Sequence, residues 1–353
     1  MPSDEPKNHE ICAQDDTLRI PARILSRRTQ LSRPSGPPQR TINFMSKTAS
    51  LLLAGLFGLA LVTAFPMHGT VTAAPQAPAA PAQPSAGSVT VEENVPYATV
   101  NGSQLHLDVY KPTERGSGLG QAVILIHGGG WTDFDKSTMR GMGQFLARFG
   151  FVAFSVDYRL FNGKDNPWPA QLDDVQRAVR WVRANAAKYG VNPDRIGAFG
   201  HSAGAQLAAL LGMEDTRDNS DPALAQYSSR VQAVVDVSGP TDFTTEHVPE
   251  EDAFLTRFFG GDYAKRPEVW RDASPADHVS KQDAPFLIVH GTQDDNVPIA
   301  QAQELFGKLQ VAGVPVAFIK VDDAHTFRTQ GARRQLAMET LDFFHHNLSA
   351  APK

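Results

Sequence analysis

Ile196-Gly197-Ala198-Phe199-Gly200-His201-Ser202-Ala203-Gly204-Ala205-Gln206-Leu207 runs from a short apolar stretch, through a turn spelled Gly-x-Ser-x-Gly, into an Ala/Leu-rich stretch. The apolar residues 196–199 predict a buried strand, and Gln206 to Leu211 predict a helix. A serine at the tip of a sharp strand-to-helix turn is pushed above the sheet edge, where its hydroxyl can act as a nucleophile. Bulky residues two before or two after the serine would collide with the neighbouring strand and helix, which gives Gly200 and Gly204 a steric reason. The helix N-terminus beneath Ser202 favours negative charge.

Outward from this turn, short and almost purely apolar runs recur at Val123–Ile126, Val152–Val156, Val231–Val237, Phe286–Val289 and Val316–Val321. Runs of this kind suit strands buried on both faces. Between them lie amphipathic stretches, clearest from Pro169 to Tyr189, where Leu172, Val175, Val179 and Val182 recur at three- and four-residue steps. Asn192-Pro193-Asp194 then breaks the chain before the next strand, and a last helix is expected near Arg333 to Asn347. Two alternating runs around Asn101-Gly102 read as an antiparallel hairpin. The alternation predicts an α/β fold: one mostly parallel, doubly wound, eight-stranded sheet with an antiparallel N-terminal hairpin. Residues 240–284, with Phe254, Phe258, Phe259 and Trp270, form an insertion expected to act as a small lid and cleft wall.

Three further segments carry chemistry. His127-Gly128-Gly129-Gly130-Trp131 follows the strand ending at Ile126, and its glycines let the backbone approach a reacting carbon. The N–H groups of Gly129 and Gly130, with that of Ala203, would form an oxyanion hole. A serine needs a base, and the base needs a group to hold its tautomer. His325 follows the last strand, and the loop His290-Gly291-Thr292-Gln293-Asp294-Asp295 follows the strand ending at Val289, so both reach the same sheet edge as Ser202. The chain order Ser, Asp, His fits. Asp242, which also follows a strand, is the alternative acid and reads better as a turn former. His127 and His290 read as structural hydrogen-bonding residues, and His201 is expected to point away from the serine. Trp131 is expected to line the substrate cleft, and Trp168 and Trp181 to pack. His345 and His346 read as surface residues, since no cluster with metal-ligand spacing accompanies them.

Taken with Asp157-Tyr158-Arg159-Leu160, these motifs resemble the hormone-sensitive-lipase-like and bacterial feruloyl/acetyl-xylan-esterase-like α/β-hydrolases over nearly the whole segment 89–348. The resemblance implies an α/β-hydrolase fold and a serine esterase acting on short-chain or carbohydrate-linked esters. It also selects Asp294 over Asp295, because the acid of such loops stands four residues after the histidine. The triad is then Ser202, His325 and Asp294. One departure is His201, where lipase-like members often carry Asp or Gly.

The remaining chain bears on location and partners. Residues 51–65, LLLAGLFGLALVTAF, form an apolar run preceded by Lys47 and followed by small residues, so 45–73 reads as a signal peptide cleaved after Ala73; an uncleaved anchor is the alternative. Met45 is the expected start, with 1–44 as a polar Arg/Pro-rich leader whose Ser26-Arg27-Arg28 lies too far from the apolar run for a twin-arginine signal. Residues 74–88 form an Ala/Pro-rich linker. These features predict a secreted or periplasmic protein, with membrane contact only if the segment is retained. The formal charge of −5, without long runs of like charge, argues against nucleic acid as a partner, and the single Cys12 excludes a disulfide framework. The expected partner is a small-molecule or carbohydrate ester, no cofactor is needed, and the oligomeric state is open. An arylformamidase, which shares the His-Gly-Gly-x-Trp motif, and a non-catalytic binding protein on the same scaffold are the competing functions. An oligopeptidase of the prolyl type lacks its propeller-sized domain here.

Overall fold

Asn101 and Gly102 adopt φ values of +49° and +81°, and two consecutive left-handed residues give a hairpin turn whose twist matches the strands it joins. It links β1 (Val89–Val100) to β2 (Ser103–Pro112), antiparallel partners that begin the sheet. In this computed structural model residues 87–114, 120–245 and 252–349 are described. The expected leader, signal segment and most of the linker lie outside them.

Six more strands complete an eight-stranded sheet: β3 (Gly120–Ile126), β4 (Val152–Val156), β5 (Val191–His201), β6 (Ala233–Val237), β7 (Phe286–Gly291) and β8 (Val316–Val321). Their order is β1-β2-β4-β3-β5-β6-β7-β8. The β1/β2 and β2/β4 pairs are antiparallel and all others parallel. The strands from β3 to β7 are covered on both faces, which explains their unbroken apolar spelling. Along β3, Ile124 and Ile126 enter one core while Val123 and Leu125 enter the other, and all four are wholly buried. The first core is closed by α2 (Ala170–Ala184), α3 (Ala186–Tyr189), α4 (Ala203–Met213) and α7 (Ile299–Ala312); the second by α1 (Arg140–Arg148) and α8 (Gln330–Ser349). This is the doubly wound arrangement expected from the alternation.

One expected break is absorbed instead. Asn192-Pro193-Asp194 lies within β5, where the pairing with β3 jumps from Gly120↔Val191 to Ala122↔Ile196. The Asn192 side chain accepts the Asp194 N–H at 2.9 Å, so the residues form a bulge that accommodates the proline rather than ending the strand. The insertion after β6 contains α5 (Ala253–Phe258) and α6 (Pro267–Asp272).

Because β3 to β7 run parallel, their C-terminal loops emerge on one rim, and all the predicted site segments lie there. The wholly buried Phe344 ring locks α8 to this sheet, packing 6.3 Å from Phe151 between ring centres. Phe344→Ala should lower the unfolding free energy by about 3–5 kcal/mol, read as a reduced urea midpoint with unchanged slope.

Candidate active site

At the end of β5 the chain reverses within a few residues. A side chain on Gly200 would collide with the Gly204 carbonyl, and one on Gly204 with the carbonyls of Ile126 and His127, all of them backbone atoms that cannot yield. Ser202 is left at φ 55°, ψ −124°, a sparsely populated conformation that costs about 1–3 kcal/mol in a non-glycine residue. Two sets of bonds hold it. Its N–H donates to the Val237 carbonyl at 2.8 Å, and its own carbonyl accepts from Ala205 (2.8 Å) and Gln206 (3.2 Å) as α4 begins.

The other predicted residues converge on this serine. Ser202 Oγ lies 2.9 Å from His325 Nε2, and His325 Nδ1 lies 2.8 Å from Asp294 Oδ2. A carboxylate only accepts, so Nδ1 carries the proton and Nε2 presents a lone pair to which the serine hydroxyl donates. The Asp294 side chain is fully buried, whereas Asp295 is exposed. Burial pushes the Asp294 pKa up, but hydrogen bonds from His290, His325 and the Val297 amide outweigh it and hold the carboxyl well below the usual range. Asp242 is occupied elsewhere, accepting from Thr244 N–H and Oγ at 2.7 Å and facing Lys308, as a turn former should.

The glycine loop is a run of left-handed residues: Gly129 at φ +104°, Gly130 at +56°, Trp131 at +62°, then Phe134 at +68°. Successive amides in such a run form a concave donor surface that suits an anion. Gly129 and Gly130 line a cleft of about 410 Å³ together with Ser202, His325, Phe134 and Met139. Larger concavities lie away from the serine. One of about 480 Å³ is lined by Arg159, Arg177 and Asp218, whose charges pair within the structure. Among the described residues no group of three or more His, Cys, Asp or Glu side chains is placed to hold a metal ion.

Three expectations need correction. Trp131 does not line the cleft: it is 5% exposed, its Nε1–H donates to Gln206 Oε1 at 3.1 Å, and its ring stacks on Phe258 at 5.0 Å. Gln206 in turn donates to the Ala273 carbonyl, so the indole is drawn down between α4 and the insertion. The insertion's aromatic residues join this buried cluster instead of walling the serine cleft. The exposed aromatic residue at the cleft is Phe134, 66% accessible. His201 also departs from expectation, since it lines the cleft and donates from Nε2 to the His325 carbonyl at 3.1 Å. Burial lowers its pKa, which suits a neutral donor.

Other supporting residues carried little signal in the sequence. Tyr158 donates to the His127 and Gly128 carbonyls (3.0 and 3.3 Å) and stacks on the His127 ring at 4.2 Å, holding the root of the glycine loop. Asp323 accepts the N–H groups of Ala324, Arg328 and Thr329 and the Thr329 hydroxyl, cross-bracing the loop that carries His325. An acidic residue shortly before a histidine and followed by Thr is the one hint the sequence offered.

Known proteins match this chain along most of its described length. Over 238 residues it is 31% identical to the probable carboxylic ester hydrolase LipM of Mycobacterium tuberculosis, covering 65% of this chain and 54% of that protein. Over 232 residues it is 31% identical to the esterase LipC of the same organism, covering 62% and 55%. The chain thus spans about half the length of these curated relatives. Among solved structures, a truncated carbohydrate esterase from gut microbiota superposes with a TM-score of 0.64 at 30% identity, covering 76% of this chain and 99% of that one. A butyrate-bound esterase from the Planctomycetes species Thermogutta terrifontis gives a TM-score of 0.64 at 25% identity, covering 76% and 96%.

The hydrogen bonds at Asp323 set a prediction. They hold its carboxyl well below the usual range, so it stabilises the loop above the unfolded value of 3.8 and loses that contribution as pH falls through the folded one. Asp323→Ala should therefore speed amide exchange across 324–329 at neutral pH, and the difference from wild type should narrow on acidification. The BD-FAE family model matches residues 107–309, more than half of the sequence, and the chain belongs to the BD-FAE family of α/β-hydrolases.

Proposed function

We propose that this protein is a serine carboxylic-ester hydrolase for short-chain or carbohydrate-linked esters, exported by its N-terminal apolar segment. The observation that carries the reading is the continuous line Ser202 Oγ, His325 Nε2, His325 Nδ1, Asp294 Oδ2, with links of 2.9 and 2.8 Å. In the first half-reaction Ser202 Oγ attacks the ester carbonyl while its proton passes to His325 Nε2. Charge gathers on the former carbonyl oxygen, which the N–H groups of Gly129, Gly130 and Ala203 receive. The alcohol leaves with the proton from His325. Water then attacks the acyl-enzyme by the same steps, and the acid departs. Asp294, ionised across the working range, stabilises the imidazolium in both halves.

Support for the substrate class comes from the cleft and from the relatives. The cleft combines a small volume with Met139 and Phe134 on its walls, which suits a short acyl group and a flat or cyclic alcohol portion. One solved relative is a carbohydrate esterase, and another holds butyrate.

Ser202→Ala should abolish covalent labelling by a fluorophosphonate and lower turnover of a p-nitrophenyl ester by about 10³-fold or more, with the melting temperature retained. In the wild type, the rate should climb from mildly acidic to neutral pH because the base must be unprotonated; a rate flat between about pH 5 and 8 would rule it out. Phe134→Ala should raise KM for naphthyl or phenyl acetate about three- to tenfold, with KM for ethyl acetate little changed, as measured across an ester panel.

A further inference from the structure

Behind Asp294 the fold buries a second acid and imidazole. His290, at the end of β7, is wholly inaccessible. Its Nε2 lies 2.9 Å from the Val297 carbonyl and 3.1 Å from Asp294 Oδ2. Both oxygens accept, so Nε2 carries a proton and donates to the two of them. The other ring nitrogen, Nδ1, is buried without a hydrogen-bond partner. On β6 Asp236 stands opposite Ile288, so that His290, two residues on, shares its face of the sheet. Asp236 Oδ1 accepts from the Gly239 amide at 3.0 Å, while Oδ2 is likewise buried and unpartnered. Two polar side chains on adjacent strands, sharing one face of the sheet, thus each bury an atom without a partner, an arrangement a purely structural core would avoid.

We propose that His290 is a positioning residue for ester cleavage, clamping the Asp294 oxygen that faces His325, and that Asp236 is the buried counter-group that keeps this clamp in its donating form. The proposal rests on the triad reading of Ser202, His325 and Asp294. Without His290, the two amides of Asn296 and Val297 hold only Oδ1, at 3.0 and 2.8 Å, and leave Oδ2 free to swing out of line with His325. Burial raises the Asp294 pKa, and the His290 hydrogen bond stands first among the contacts that overcome it. Asp236, with one amide donor, is pushed up to about 6 by burial, which the Gly239 amide and the charge of His290 only partly offset. The titratable groups facing His290 are Asp236 from β6, Asp294 from its own loop, His201 from the end of β5 and, beyond Asp294, His325.

Two amide replacements separate clamping from packing. Gln can place its N–H where Nε2 stands, whereas Asn reaches only the Nδ1 position. The purified full-length protein and its His290→Gln, His290→Asn and Asp236→Asn variants would be compared between about pH 5 and 9 for p-nitrophenyl acetate turnover and for the rate of fluorophosphonate labelling of Ser202. His290→Asn should lower kcat about ten- to a hundredfold with KM within about twofold of wild type, and His290→Gln should recover most of that loss. The acid limb of the rate profile should move to higher pH in His290→Asn, where Asp294 is less neutralised, and to lower pH in Asp236→Asn, where a negative charge is gone. Equal activity in Gln and Asn variants with an unmoved acid limb would overturn the clamp, and an unmoved limb in Asp236→Asn would overturn the role of Asp236. A wild-type protein whose Ser202 takes no label fails earlier, at the triad reading itself.

Discussion

The backbone of Ser202 is held where a serine does not ordinarily rest, at φ 55° and ψ −124°, and the rim of the sheet is organised around keeping it there. A strain of about 1–3 kcal/mol persists only when the surroundings over-determine it. Here β5 lies in the middle of the sheet, so its neighbours can do so: the β6 end supplies the Val237 carbonyl, and the β3 end approaches so closely that Gly204 cannot carry a side chain. The same closeness brings the glycine loop after β3 beside the first amides of α4. Serine exposure and the donor cluster near it are two results of one crowded crossing.

Charge at this rim is governed by how many donors each buried carboxylate finds. Asp294 accepts from two amides and two imidazoles, and its pKa falls despite burial. Asp236, close by on β6, has a single amide and moves the other way, to about 6. Desolvation acts on both, and the difference lies in the hydrogen bonds that offset it. His290 stands between the two cases, bonded to Asp294 and sharing a sheet face with Asp236.

The strand and helix segments, the antiparallel start, Ser202 and His325 were legible in the sequence because each rests on a local rule, while Asp294 was separated from Asp295 by the family resemblance. Apolar runs report burial on both faces, Asn-Gly reports the hairpin, and the parallel sheet sends every relevant loop to one edge. Long-range hydrogen bonds were not legible. Asp323 bracing the His325 loop, Tyr158 holding the glycine loop and His201 reaching the His325 carbonyl all depend on where separate loops stop relative to one another. Asn192-Pro193-Asp194 misled for a related reason: a proline ends a strand only when no bulge can take it in, and the partner strand decides that.

Trp131 illustrates the same limit at the point where it bears on specificity. Its place beside the glycines says that it is near the serine, but the direction of its ring is decided by a buried competitor, the Gln206 carbonyl oxygen, and by the aromatic faces of Phe254 and Phe258. Gln206 also bonds the Ala273 carbonyl, so glycine loop, elbow helix and insertion are tied through one side chain. A buried ring tied in this way is a poor site for altering the cleft, since a change in Trp131 disturbs packing on three elements at once. Phe134 bears no such duty, being two-thirds exposed at the cleft mouth. The cleft mouth can therefore change at Phe134 while the elbow and its buried supports stay as they are.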